Sequence, residues 1–210
     1  MVIDLLQTEI QADSLAEAVE LGLSHFNCSR TDIETRILQA PTSGFFGWFG
    51  AKQARVCIRL IDRSAAARIV CQRLLDLAGF ETRVGTKDVL TPFFIQLETA
   101  DPSLLIGRHG QTLDSLQYLL NCVLDKQLGH GEPVVLDTAA YRERRKGNLI
   151  SMAQRLVSQV RKTGQPVSTP PLPADERKVL HGLFERETDI VARSKGQGAE
   201  RKLVVSAHRS

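Results

Sequence analysis

Apolar and polar residues alternate with changing periods along the chain, and these changes separate three segments. In the first segment, residues 1–62, short apolar runs flank one stretch with helical spacing, which predicts the order β-α-β-β. The predicted elements are a strand at Val2–Leu6, a helix from about Ser14, and strands at Ile33–Leu38 and Ala54–Ile61.

The second segment, residues 63–139, has a pattern that predicts the order α-β-β-α-α-β. Its first helix should end at Gly79, because glycine is the usual residue after a helix C-terminus. Its last helix carries leucines three and four residues apart, which is typical of one buried face. The predicted elements are helix Ala65–Ala78, strands Glu81–Gly85 and Phe93–Thr99, a short helix opened by Asp101-Pro102, helix Thr112–Leu128 and strand Pro133–Asp137.

The third segment, residues 140–210, begins with a long connecting helix, and the whole chain is therefore expected to be α+β with three small domains. A proline-rich stretch precedes the next helix, whose first turn holds the acids that favour a helix N-terminus. The predicted elements are helix Ala140–Lys162, a loop or extended segment at Gly164–Pro173, a helix starting near Pro173, and strands Thr188–Ala192 and Lys202–Ala207 joined through a flexible Ser194–Gly198.

Composition narrows the class of protein. No run approaches the about 18 consecutive apolar residues of a membrane span, and the N-terminus lacks the features of a secretory signal. The cysteines are scattered, without a CxxC pair or a nearby histidine, so neither a zinc site nor another cofactor is expected. A reduced, cytoplasmic setting is the expectation. The cysteines are Cys28, Cys57, Cys71 and Cys122.

The net charge of +3 conceals a strong asymmetry. Residues 138–210 hold 15 lysines and arginines against seven acids, a net charge of +8, whereas residues 1–62 hold five against eight, a net charge of −3. This distribution favours a polyanionic partner for the last third of the chain. The alternative is a basic surface that faces only solvent.

Two glycines three residues apart stand between a short apolar helix and an amphipathic one, at Gly107-Arg108-His109-Gly110. Amide groups at the start of the second helix attract anions, and glycines let a sugar-phosphate backbone approach closely. The motif resembles the GxxG loop of a KH domain, which clamps single-stranded RNA. The alternative is a simple turn between helices. The resemblance implies an RNA site at Ile106, Gly107, Arg108, His109, Gly110, Gln111 and Thr112.

A second candidate site combines Arg177 and His181, which are four residues apart and therefore share one face of the predicted helix. Arginine can bind a phosphate with two hydrogen bonds, and histidine can donate a bond or stack on a base. The spacing resembles that of an R-three-H domain, although a structural pair is the alternative. The candidate RNA-binding residues there are Arg177, Lys178, His181, Lys195, Arg201 and Lys202.

Two further segments have open interpretations. Cations at Arg142, Arg144 and Arg145 oppose the dipole of the long helix, so they either contact phosphate or form a solvated face. The aromatic loop Gly44–Gly50 either fills the core of the first domain or docks a protein partner. Its aromatic residues are Phe45, Phe46, Trp48 and Phe49.

Taken in order, these motifs resemble the Jag/KhpB family, also called SpoIIIJ-associated proteins, over essentially the whole chain. The resemblance implies a Jag N-terminal domain at residues 1–62, a type II KH domain at 63–139, and a connector helix with an R-three-H domain at 140–210. The residues that carry it are Gly44–Gly50, Ile106–Leu113, Tyr141–Arg145, and Arg177 with His181.

The resemblance also implies a function: a cytoplasmic, non-enzymatic protein that binds single-stranded RNA as a chaperone or post-transcriptional regulator. It implies links to cell shape, elongation and peptidoglycan homeostasis, with a small single-KH protein, KhpA, as partner, or a homodimer. The chain departs from the family in having almost no linker after Ile61 and in Ser43, where a basic residue commonly precedes the aromatic loop. His109 stands at a position that is often a second basic residue, and Lys178 follows Arg177 where the family has paired arginines.

An alternative class of function is an adaptor. In that case the Jag domain would dock a membrane-associated or cell-wall partner without inserting into the membrane, and RNA binding would be secondary. An enzyme that hydrolyses nucleotides is disfavoured, because the chain lacks the GxxxxGK[ST] loop that holds phosphates in such enzymes.

Overall fold

A computed structural model of the chain describes residues 5–42, 52–86 and 93–208. The chain divides into two compact units. The first unit comprises Met1–Leu105 and Gln111–Ala139, and the second comprises Ile106–Gly110 and Ala140–Ser210. By its contacts, the glycine loop Ile106–Gly110 therefore belongs with the C-terminal third of the chain.

The first unit begins with a helix packed on a three-stranded antiparallel sheet, and this confirms the predicted order β-α-β-β. The Ser14 hydroxyl caps the helix by accepting a hydrogen bond from the Glu17 amide at 3.1 Å. Gly22 faces Ile58, and a Cβ there would overlap the isoleucine side chain, so the helix needs glycine to approach the sheet. The elements are β1 (Gln7–Ala12), α1 (Leu15–Phe26), β2 (Ile33–Gln39) and β3 (Ala54–Leu60), with strand order β1-β3-β2.

The strand predicted at Val2–Leu6 is wrong for Leu5 and Leu6, the two of its residues that the structure describes. Leu5 and Leu6 form a turn, the strand begins at Gln7, and Val2 lies outside the described residues. Leu6 is nevertheless buried, and its carbonyl accepts a hydrogen bond from the Leu60 amide at 2.8 Å. The apolar run therefore supplies a core contact beside the sheet, whereas pairing with β3 places the strand in the more polar segment that follows.

The rest of the first unit has the order α-β-β-α-α-β, as predicted. Strands β4 and β5 pair antiparallel, whereas β5 and β6 pair parallel, which requires the two intervening helices as a crossover. The Asp62 carboxylate caps α2, and Gly79 follows its end with a φ of 76°. The elements are α2 (Arg63–Leu77), β4 (Thr82–Thr86), β5 (Phe94–Thr99), α3 (Pro102–Ile106), α4 (Gln111–Leu128) and β6 (Val135–Thr138), with strand order β4-β5-β6.

Helix α4 presents its predicted leucine stripe to the core and also holds the entry to β6 through polar side chains. The Asn121 carboxamide accepts a hydrogen bond from the Val134 amide and donates one to the Val134 carbonyl, both at 2.8 Å. The Gln117 side chain accepts from the Leu136 amide at 3.0 Å. These bonds satisfy backbone groups that would otherwise be unpaired. The buried stripe is Leu113, Leu116, Leu120 and Leu124.

Two arginines tie β3 and α2 to the end of α4 within the first unit. Arg59 donates to the Gln127 carbonyl at 2.7 Å. Arg63 donates to the carbonyls of Gly129 and Glu132 and to the Asp125 carboxylate at 2.6 Å. The Arg63 hydrogen bond is the main reason why the pKa of Asp125 lies below its usual value.

The second unit packs two helices on a three-stranded antiparallel sheet. Its buried core includes Leu149, Leu180, Phe184, Leu203 and Val205. The C-terminus of α5 ends at Gly164 with a φ of 66°, a conformation that favours glycine. The elements are α5 (Tyr141–Thr163), β7 (Val167–Ser168), α6 (Ala174–Phe184), β8 (Ile190–Lys195) and β9 (Lys202–Ala207), with strand order β7-β9-β8.

The prediction that the whole of Ser194–Gly198 is a flexible connection is wrong for its first two residues. Ser194 and Lys195 extend β8 and pair with Leu203 and Lys202 of β9. This part of β8 could not be predicted from its polar sequence, because pairing with β9 orders it and its local β-propensity is low.

Candidate nucleic-acid interface

The glycine loop has a backbone that only a few residue types adopt easily. Between α3 and α4, Gly107, His109 and Gly110 have φ angles of 70°, 53° and 86°. Glycine adopts positive φ without a steric penalty, whereas His109 has a Cβ and is strained there. The two glycines therefore have a conformational reason to be present, beyond the spacing that predicted the loop.

One face of the loop is covered and the other is open. Gly110 is buried, and a Cβ at this position would lie 2.8 Å from the Tyr141 ring of α5. Arg108 is exposed, and its guanidinium has no hydrogen-bond or ion-pair partner among residues 5–42, 52–86 and 93–208. Gln111 is exposed as well, and Ile106, Gly107 and Thr112 are half-buried. The open face therefore offers Gly107 and Arg108, but not Gly110, to a ligand.

A charged cluster lies beside the loop and includes the His109 side chain, which is 39% exposed. Arg145 of α5 binds the Glu176 carboxylate of α6 with two hydrogen bonds, from Nε to Oε1 at 2.5 Å and from Nη2 to Oε2 at 2.6 Å. The same Nη2 lies 2.8 Å from Nδ1 of His109. Glu176 is 4% exposed, so this is a largely buried ion pair. The hydrogen bonds to Glu176 raise the pKa of Arg145 above its usual value.

The three candidate phosphate-binding arginines of α5 are thus not equivalent. The charge of Arg145 is compensated by Glu176. Arg142 is half-buried, and Arg144 is exposed without an ion-pair partner in the described part of the chain. Of the three, Arg144 is the arginine whose charge is most available to a phosphate.

The Arg177 and His181 pair lies on one face of α6, as predicted, and both side chains are half-buried. Arg177 donates from Nη1 to the Leu172 carbonyl at 2.5 Å, and Nε2 of His181 lies 3.4 Å from the Ser194 hydroxyl. Lys178, between them, is exposed. Arg177 therefore has a structural contact that coexists with any role in binding.

The sheet register separates the remaining cations from that pair. Leu203 and Val205 of β9 point into the core, so Lys202 lies on the opposite face. Lys195 is paired directly with Lys202 and shares its face, together with Arg193 two residues earlier. Arg201 is exposed in the turn before β9.

Sequence reasoning missed Glu176 and Arg193. The sequence explains Glu176 only as a favourable charge at a helix start, because its partner Arg145 is 31 residues away. Arg193 has the two-residue spacing to Lys195 that marks one face of a strand, but the predicted strand ends at Ala192.

The aromatic loop and its preceding serine lie outside the described residues, namely Ser43, Phe45, Phe46, Trp48 and Phe49. Among residues 5–42, 52–86 and 93–208, no group of three or more histidines, cysteines or acids is arranged to hold a metal ion. Within the same ranges, every helix is too short or too polar to cross a membrane.

The fold and the two motifs define a three-domain protein with a Jag N-terminus, a KH domain and an R-three-H domain. The family model of the Jag N-terminus matches residues 10–60, that of the KhpA/KhpB KH domain matches residues 70–136, and that of the R-three-H domain matches residues 147–207.

Relatives cover the chain almost end to end. A protein of Bacillus subtilis (strain 168) named RNA-binding protein KhpB is 30% identical over 196 residues, which are 92% of this chain and 94% of the relative. A protein of the same name from Clostridium symbiosum is 29% identical over 95% of this chain and 91% of its own length. Another from Lactiplantibacillus plantarum is 29% identical over 73% of this chain but only 48% of its own length. The chain belongs to the KhpB family.

These matches confirm the predicted family and the α+β fold with Jag, KH and R-three-H domains. KH and R-three-H domains are binding modules and not enzymes, so the prediction of a non-enzymatic protein is also confirmed.

Proposed function

We propose that the chain binds single-stranded RNA in the cytoplasm and acts as an RNA chaperone or post-transcriptional regulator. One observation carries the proposal: the glycine loop presents Gly107 and an exposed Arg108, unpaired within the described part of the chain, at the entrance to the 18-residue helix α4. The names of the relatives, RNA-binding protein KhpB, support the same ligand.

The chemistry of the loop suits a phosphate of the RNA backbone. The first amides of α4 have no partners within the helix, and the helix dipole favours negative charge at this end. Gly107 has no Cβ to obstruct a sugar-phosphate backbone. Arg108 adds a full positive charge. When it neutralises a phosphate, counterions condensed on the RNA are released, and this release increases the affinity.

The second unit supplies further contacts in this proposal. Lys195 and Lys202 are directly opposite each other on the outer face of the sheet. Like charges in that position destabilise a strand pair, and a bound polyanion relieves the repulsion. Arg177, Lys178 and His181 of α6 and Arg201 before β9 are further candidate RNA contacts in this proposal, separate from the Lys195 and Lys202 pair.

We also infer a protein partner, either a KhpA-like single-KH protein or a second copy of the chain. Helix α4 exposes Tyr118 at 70% and Leu119 at 52%, which supports a docking surface there. Links to cell shape, elongation and peptidoglycan homeostasis, and a cell-wall partner for the Jag domain, rest on the family resemblance. These links are tested by comparing the cell shape of a strain that lacks the protein with that of the same strain complemented by the full chain.

The salt dependence of RNA affinity tests the proposal. Each phosphate contact on a single strand contributes about 0.7 to the slope of log affinity against log salt. We expect Lys195→Ala with Lys202→Ala to reduce the slope by about 1.4. A control pair of exposed cations outside the proposed contacts, Arg155→Ala with Arg186→Ala, should leave the slope unchanged. Equal slopes for both double variants, or no RNA binding by the wild-type chain, would contradict the proposal.

A further inference from the structure

We propose that Arg145 and Glu176 are positioning residues for the glycine loop: they fix the His109 ring with Nδ1 as the hydrogen-bond acceptor and the ring proton on Nε2, so that this N–H is presented to the RNA. The inference deepens the proposed function and rests on it. It assigns to a buried acid, Glu176, a role in ligand binding that its place at the start of α6 does not suggest.

The tautomer of His109 follows from the chemistry of its neighbour. A guanidinium group has donors and no acceptor, so Arg145 can only donate hydrogen bonds. Because Nη2 of Arg145 lies 2.8 Å from Nδ1 of His109, Nδ1 must accept and carries no proton. The ring proton is then on Nε2, which has no hydrogen-bond partner among residues 5–42, 52–86 and 93–208.

Glu176 keeps the guanidinium in that place. Its two oxygens accept hydrogen bonds from Nε and Nη2 of Arg145 at 2.5 Å and 2.6 Å. This bidentate geometry fixes the orientation of the guanidinium group. The Glu176 side chain is 5% exposed and that of Arg145 is 25% exposed. Nδ1 of His109 is 3.7 Å from Oε2 of Glu176, too far for a hydrogen bond, so Arg145 is the link between them.

The backbone conformation of the loop explains why the hydrogen bond between Arg145 and His109 matters. His109 lies at φ 53° and ψ 22°, a left-handed conformation that residues with a Cβ adopt at a cost. The hydrogen bond from Arg145 offsets that cost, and the packing of Gly110 on Tyr141 fixes the next residue. A loop that already has its bound conformation loses less entropy when it binds a ligand.

The opposite role, in which Glu176 competes with phosphate for Arg145, predicts tighter RNA binding when the acid is neutralised. The geometry favours the positioning role. Release of Arg145 to a phosphate would leave the carboxylate of Glu176 buried without a partner, which is costly. The exposed cation of the loop is Arg108, and Arg145 is not needed as a second one.

Nitrogen-15 NMR of the histidine side chains in the full chain tests the tautomer directly. We expect His109 to show the Nε2–H form in the wild type and in Arg155→Met, a control for an exposed arginine of the same helix. Arg145→Met should give a mixture of tautomers. Arg145→Lys keeps the charge and serves as a second variant should Arg145→Met not fold. A mixed or Nδ1–H spectrum in the wild type overturns the proposal.

Titration of a labelled single-stranded oligouridylate tests the consequence for binding. We expect Glu176→Gln to weaken affinity about three- to tenfold, as loss of one well-placed hydrogen bond does. In a His109→Ala background the same change should have no further effect. Unchanged or tighter binding by Glu176→Gln overturns the positioning role. Absence of RNA binding by the wild type would instead refute the proposed function. The NMR spectrum tests the tautomer of His109 whether or not the chain binds RNA.

Discussion

The contact between Gly110 and Tyr141 makes a quantitative prediction about stability. Gly110 has a φ of 86°, and an alanine Cβ would lie 2.8 Å from Cε1 and 2.9 Å from the hydroxyl oxygen of Tyr141. The left-handed conformation costs a residue with a Cβ about 1–2 kcal/mol. Overpacking against the ring costs a further 1–3 kcal/mol, roughly. Gly110→Ala should therefore lower the free energy of unfolding by about 2–5 kcal/mol.

Gly164 provides the matched control in the same unit. Its φ is 66°, but no atom lies within 4 Å of a Cβ built there. Gly164→Ala should therefore lower the free energy of unfolding by only the conformational part, about 1–2 kcal/mol. In a Tyr141→Ala background, where the ring is absent, the cost of Gly110→Ala should fall to the same value.

Urea unfolding followed by circular dichroism measures the free energy of unfolding of the four variants, which are Gly110→Ala, Gly164→Ala, Tyr141→Ala and the double variant Gly110→Ala with Tyr141→Ala. Equal losses for Gly110→Ala and Gly164→Ala would show that the Tyr141 ring does not cover the loop in solution. That result would remove the physical basis for one closed and one open face of the loop. A cost of Gly110→Ala that persists in the Tyr141→Ala background would have the same meaning.

Two further predictions concern the second unit. Arg177→Ala should lower the free energy of unfolding by about 1–2 kcal/mol, because the Leu172 carbonyl loses its charged donor. Lys178→Ala, at the exposed neighbouring position, should leave the free energy of unfolding unchanged. Equal urea midpoints for the two variants would refute this. Hydrogen bonds from Arg161 hold the pKa of Asp189 below its usual 3.8, so the stability they give is present above that pH and is lost as the pH falls through the lower folded value. The difference in thermal midpoint between wild type and Asp189→Asn should therefore be small, because the pair is exposed. It should begin to shrink as the pH falls below about 3.8 and should disappear below the lower folded pKa; a difference that persists in acid would contradict this.

Much of the fold could be predicted because local pattern and tertiary structure agree in most elements. The leucine stripe of α4 specifies its buried face, and Gly79 marks the end of α2. β1 and the end of β8 are different, since both are polar segments ordered by a paired strand. Such strands have no local signal that distinguishes them from loops.

The sequence predicted where the glycine loop and the Arg177 and His181 pair lie in the fold, but not the contacts that these side chains make. Spacing and flanking helices predicted a loop at Gly107 to Gly110, which the structure has, and the role of this loop in RNA binding stays a prediction. The partnership of Arg145 with Glu176 joins residues far apart in sequence, so a charge count treats Arg145 as free. Likewise, only the strand register shows that Lys195 and Lys202 lie on the face away from the core.

RNA affinity of the full chain with Arg108 reversed in charge tests the central claim most directly. Arg108→Asp should weaken binding of a single-stranded oligouridylate about tenfold at moderate salt, because a phosphate contact becomes a repulsion. Arg155→Asp, a reversal at an exposed position of α5 outside the proposed contacts, should change affinity less than about twofold, and both variants should unfold at the wild-type temperature. An Arg108→Asp variant that binds as tightly as the wild type would contradict the assignment of the glycine loop as the RNA site.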